Sequence, residues 1–68
     1  AQQINEILER GIVRLTEKRS KVYRLNLFEG MQVSEIAQSL NLGYKAAENR
    51  LTLARKEIRD YMKKELAS

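Results

Sequence analysis

The chain has 68 residues, with 13 Lys and Arg against 9 Asp and Glu for a net charge of +4, and it contains no histidine, cysteine or proline. That length holds one small domain with a marginal core, and the missing cysteine and histidine exclude disulfides, the usual zinc sites and most nucleophile and general-base arrangements. No enzyme, cofactor or metal site is expected; no apolar run approaches the roughly 20 residues of a membrane-spanning helix, and the polar first residues give no sign of a signal peptide.

Glycine occurs only at Gly11, Gly30 and Gly43, so helices should dominate, with breaks at the last two. The first helix, about 3–14, sets Ile4, Ile7, Leu8, Gly11, Ile12 and Leu15 on a broad apolar stripe and leaves Glu6, Glu9, Arg10 and Arg14 outside. Gly11 within that stripe costs up to about 1 kcal/mol relative to Ala, which either close helix packing or a kink would explain. The second helix, about 17–29, starts from Thr16 as N-cap with Glu17 at its positive end, and Val22, Tyr23, Leu25 and Phe28 are expected to form its buried face. Lys18, Arg19, Lys21 and Arg24 make its other side basic, either for solubility or to clamp a nucleic-acid backbone. Leu27 falls off the inward stripe and is a candidate contact to a protein partner. Gly30 can take a left-handed cap, after which Met31 and Val33 return to the core.

Residues 34–55 carry the functional signal. In a third helix, about 33–40, Ile36, Ala37 and Leu40 form one narrow apolar face, and the small Ala37 allows a second helix to cross closely. Asn41 and Gly43 bracket Leu42; both residue types tolerate left-handed backbone, so both are expected to help redirect the chain while Leu42 turns inward. The fourth helix, about 44–66, repeats Ala47, Leu51, Ala54, Ile58 and Tyr61 at steps of four and three, holding one face inward, and continues through Met62 and Leu66, its tail packing on the first helix. Its opposite face carries Lys45, Glu48, Asn49, Thr52, Arg55, Lys56 and Arg59. Asn49 can hydrogen-bond a base edge and the cations can neutralise phosphates. Residues 44–68 hold seven Lys and Arg against four Asp and Glu, a surface suited to a polyanion, although a membrane surface would accept the same charge.

The run from Leu15 to Ile58 resembles region four of bacterial RNA polymerase sigma factors, most closely the extracytoplasmic-function group. The residues that carry the resemblance are Leu15-Thr16-Glu17, Phe28-Glu29-Gly30-Met31, Glu35-Ile36-Ala37, and Arg50 followed by Ala54-Arg55-Lys56. The DNA-binding domain of two-component response regulators also has Glu-Ile-Ala and a similar following helix. Its spacing from the leucine to the closing glycine is one residue shorter than Leu15 to Gly30, which favours the sigma pattern. The chain departs from that pattern at Gly43, where the family usually has a capping Ser, and at Ala46 and Ala47, where it usually has Thr and Val; the missing hydroxyls remove the usual phosphate contacts at the helix start.

The resemblance implies an all-α fold, a compact four-helix domain over residues 1–68 with a helix-turn-helix of winged-helix-like or sigma region 4 type and no sheet. It implies recognition of the promoter element near position −35 with the fourth helix in the major groove, in transcription initiation by RNA polymerase. Carried over position by position, Glu48, Asn49 and Thr52 face the bases with Lys45, Arg50, Leu53 and Arg55 alongside; Leu53 could add an apolar base contact, and by their charge Lys45, Arg50, Arg55, Lys56 and Arg19 suit phosphates. Implied partners are double-stranded promoter DNA, the beta flap of the polymerase core and an anti-sigma factor, in the cytoplasm and on the nucleoid when in the holoenzyme. The alternatives are a response-regulator DNA-binding domain and a helical protein-interaction module that binds no DNA. The abrupt helical start and the absence of an initiator methionine point to a piece of a longer protein.

Overall fold

Four helices succeed one another as α1 (Gln2–Arg14), α2 (Glu17–Leu27), α3 (Val33–Ser39) and α4 (Tyr44–Ala67). The computed structural model describes residues 2–67, and no strand occurs among them. As expected, Thr16 caps α2, its Oγ1 accepting the Arg19 amide N–H at 3.3 Å, and Gly30 takes a left-handed φ of +68° beyond the end of that helix.

The helix α4 is the element on which the other three pack. Its inward face, Ala47, Leu51, Ala54 and Ile58, meets Ile12 and Leu15 from the α1 end, Val22 and Tyr23 from α2, and Ile36 and Ala37 from α3. Ile12, Val22 and Ile36 are fully buried and Leu51 nearly so, and each such side chain contributes about 1.5–3 kcal/mol of transfer free energy. Ala47 and Ala54 are fully buried as well; with no side chain beyond Cβ they let the backbones of the crossing helices come close. The long axis of 38 Å matches the length of α4, since 24 residues at about 1.5 Å each span roughly 36 Å.

The helix α1 runs unbroken through Gly11. A Cβ at Gly11 would lie 3.1 Å from both Ile58 Cδ1 and Tyr61 Cδ2, so close approach to α4, and not a kink, accounts for the glycine. The Arg14 guanidinium stacks 5.0 Å from the Tyr61 ring centroid and closes the same contact from above.

Three apolar side chains depart from the expected pattern. Phe28 is 52% exposed because α2 stops at Leu27: Phe28 is its C-cap, and its ring lies at the surface 6.0 Å from the Arg24 guanidinium. Leu25 alone continues the inward stripe at that end. Ile4 is 49% exposed, burial in α1 beginning one turn later at Ile7. Leu66 is exposed, while Ile58 and Tyr61 carry the contact of α4 with α1 at Gly11. Leu27 is exposed, as its position off the stripe predicts.

Replacing Gly11 with Val should lower stability by about 1–3 kcal/mol through overpacking against Ile58 and Tyr61, read from urea unfolding. An unchanged midpoint would mean that α1 does not rest on α4 at this point.

Candidate nucleic-acid interface

The start of α3 is fixed by its own third residue. Glu35 Oε1 accepts the backbone N–H of Gln32, the N-cap, at 2.9 Å, so Glu35, one of the residues that carry the family resemblance, also caps the helix. Its end closes through two backbone bonds, Leu42 N–H to Ala37 O at 2.8 Å and Asn41 N–H to Gln38 O at 3.2 Å. With Asn41 at a φ of +56°, this is a Schellman closure in which asparagine takes the left-handed position. Gly43 was expected to share that conformation and does not: no positive φ occurs there. One left-handed residue completes the reversal. The Gly43 carbonyl instead accepts the Ala47 N–H at 3.1 Å, which makes Gly43 the cap of α4, without a side chain to reinforce it.

Because the core fixes the inward face of α4, the helical period of about 100° per residue assigns the outward one. Lys45, Asn49, Thr52 and Lys56 stand opposite Ala47, Leu51, Ala54 and Ile58, and all four are exposed. Leu53 is 43% exposed beside them. Glu48 and Arg50 are half-buried on the two edges of the strip, and Glu48 Oε1 lies 3.3 Å from Lys45 Nζ. Glu48, Asn49 and Thr52 are therefore not packed into the interior.

The remaining cations divide by what they touch. The Arg55 Nη2 group donates to Asn26 Oδ1 at 2.9 Å, and Asn26 Nδ2 donates to the Met31 carbonyl at 2.9 Å. One asparagine thus joins the last turn of α2, the loop after it and the edge of α4. Asn26 had no assigned role in the sequence, and a lone asparagine near a helix end carries no distinguishing signal. The Arg19 guanidinium is paired with Glu57, linking the other end of α2 to α4; to reach a phosphate it would first have to leave that carboxylate. Arg50 and Lys56 have no carboxylate within ion-pair distance among the described residues.

Tyr23 lies buried in α2. Burial raises the pKa of its hydroxyl above the ordinary 10.0, and the positive charge of Arg55 pulls weakly the other way.

A helix-turn-helix whose second helix presents amide, hydroxyl and cationic side chains to solvent is thus supported from behind by the whole core. The model of the family described as sigma-70, region 4, matches residues 5–58. The chain belongs to the sigma-70 region 4 family. No curated protein and no solved structure gives a significant match. The region 4 match begins in α1, takes in the turn and the exposed strip of α4, and ends at Ile58, the last buried residue of that helix. It decides between the two readings of Glu35-Ile36-Ala37 in favour of the sigma pattern, and region 4 is a DNA-binding family and not an enzymatic one. Among the described residues no helix is long and apolar enough to cross a membrane.

The position of Tyr23 predicts a loss of stability in alkali. Its folded-state pKa lies above the unfolded value of 10.0, so above about pH 10 the unfolded chain releases this proton first; the contribution, complete below that pH, falls as pH climbs toward the folded value. Tyr23→Phe should flatten the decline of unfolding free energy above about pH 10, measured by denaturant titration at a series of pH values. An identical decline in both proteins would remove Tyr23 as its source.

Proposed function

We propose that this chain is the promoter-reading region 4 domain of a sigma factor of the extracytoplasmic-function type, a single domain over residues 1–68 acting by docking and not by catalysis. It inserts the start of α4 into the major groove at the −35 element. The observation that carries this reading is the exposed strip Lys45, Asn49, Thr52 and Lys56, set immediately after a helix-turn-helix in a chain that belongs to the region 4 family. A major groove about 12 Å wide admits such a helix.

Within that reading Asn49 pairs bidentately with adenine, Glu48 accepts from a cytosine amino group, and Thr52 and Leu53 meet thymine methyl groups. Lys45, Arg50, Lys56, Arg55 and Arg19 serve the backbone, with Arg55 and Arg19 doing so from positions where they also brace α4 against α2. Leu27 and Phe28, adjacent and exposed at the end of α2, form the apolar surface offered to a protein partner, the beta flap of core polymerase or an anti-sigma factor. The domain works in the cytoplasm, on the nucleoid when in the holoenzyme.

Selection of bound sequences from random DNA in the presence of core polymerase should enrich one motif upstream of start sites. On that motif Asn49→Ala should lose about 1–3 kcal/mol, with little change on random DNA. Equal losses on both would remove Asn49 from base reading, and no enriched motif would count against promoter recognition as a whole.

A further inference from the structure

The side chain of Asn26, half-buried in the last turn of α2, is bonded through both halves of its amide. Its Nδ2 group donates to the Met31 carbonyl at 2.9 Å, and its Oδ1 accepts from Arg55 Nη2 at 2.9 Å. We propose that Asn26 is a positioning residue for DNA binding, holding the Arg55 guanidinium in one orientation at the edge of α4 while leaving its charge intact for a backbone phosphate. The inference rests on the DNA-binding reading above, in which Arg55 serves the backbone, and adds the residue through which it does so.

The direction of the amide is fixed by its two partners. A carbonyl oxygen only accepts and a guanidinium only donates. A flipped Asn26 amide would therefore set oxygen against the Met31 oxygen and its NH2 group against the N–H groups of Arg55. Only the observed direction satisfies both contacts, which keeps Oδ1 aimed at Arg55.

The hold is also uncharged, and this separates Arg55 from the other arginines that reach across the bundle. Arg19 is paired with Glu57, and Arg24 lies 3.8 Å from Glu9; in each case a carboxylate competes with any phosphate. Arg55 makes no ion pair among the described residues. Tyr23, the hydroxyl that feels its charge, has a pKa raised above 10.0 by burial and is neutral below that pH. A neutral acceptor occupies one N–H of the guanidinium and leaves its other donors, with the full positive charge, for a ligand.

Position is the third observation. Arg55 is exposed and follows Glu48 by seven residues, roughly two turns along the same edge of α4. It follows Thr52 by three, which places it about 60° around the helix from that residue. A phosphate met by Arg55 thus borders the bases that Glu48 and Thr52 face. A long side chain loses rotamer freedom when it is immobilised on a ligand, and one already held loses less.

The test compares the wild-type chain with Asn26→Ala, Arg55→Gln and the double variant by fluorescence anisotropy on a mixed-sequence DNA duplex over a range of salt concentrations. Asn26→Ala should bind roughly three- to tenfold more weakly. The same change in the Arg55→Gln background should cost less than about twofold, because the residue it acts through is gone. Asn26→Asp, similar in shape, keeps the acceptor and neutralises Arg55; it should make the salt slope shallower by about 1, as Arg55→Gln does. That variant carries the test if circular dichroism shows Asn26→Ala unfolded. An equal loss from Asn26→Ala in both backgrounds, or no loss in either, would overturn the positioning role and leave Asn26 as a support of the fold alone. An Asn26→Asp chain with the wild-type salt slope, or Arg55→Gln binding as tightly as the wild type, would overturn it as well, with DNA binding left standing. A wild-type chain that left the duplex unbound at low salt would overturn the DNA-binding reading and the positioning role together.

Discussion

The structure depends on the burial of one face of α4. Ala47, Leu51, Ala54 and Ile58 are the positions at which the other three helices meet, and a helix with one face in the core has its opposite face determined by its pitch alone. The exposure of Asn49 and Thr52 is therefore a consequence of where Leu51 and Ile58 are buried. A slip of α4 by one residue would turn Asn49 about 100° toward the edge of the bundle and draw Lys45 or Thr52 toward the core, where an unpaired polar group costs several kcal/mol. In a chain of 68 residues total stability is marginal, so that cost selects a single rotation.

Packing sets this rotation, and the polar contacts at the edges of α4 refine it. Exposed ion pairs such as Arg19 with Glu57 are worth about 0–1 kcal/mol and a hydrogen bond such as Arg55 to Asn26 about 0.5–1.5 kcal/mol, each less than one buried Leu or Ile. Their placement matters more than their energy. Asn26 reaches from α2 both to the Met31 carbonyl and to Arg55, Arg19 holds the other end of α2 to Glu57, and Gly11 lets α1 settle on Ile58 and Tyr61. Held by these contacts between Arg55 and Tyr61 and by the core at Ala47, Leu51 and Ala54, α4 presents its outward residues from a fixed platform, which reduces the ordering cost when a rigid partner such as a duplex is met.

Much of this arrangement was legible in the sequence because helical periodicity is a strong signal where it is long. The alternation of steps in α4 identified both its faces, Thr16 and Gly30 marked the limits of α2, and Leu15-Thr16-Glu17 with Glu35-Ile36-Ala37 carried the family resemblance that the region 4 match bears out. The misreadings occurred where a tertiary or turn-level choice overrode a local pattern. Phe28 fits the apolar stripe of α2 only if the helix continues, and the turn at Gly30 ends it first. Asn41 and Gly43 are equally able to adopt a left-handed backbone, and the closure of α3 uses only Asn41. Asn26 and the division of the α2 cations into paired and unpaired sets depend on contacts between residues 29 or 38 positions apart, which no local periodicity encodes.

The central claim is that the outward strip of α4 is the surface that meets duplex DNA. An amide NMR titration of the nitrogen-labelled chain with a duplex carrying the selected element tests it most directly. The account predicts shifts and intermolecular contacts concentrated at Lys45, Asn49, Thr52 and Lys56, the side-chain amide of Asn49 among them, with Ala47, Leu51 and Ala54 free of direct contacts. Perturbation confined to α1 and the last turns of α4, with the Asn49 side chain unmoved at saturation, would contradict it.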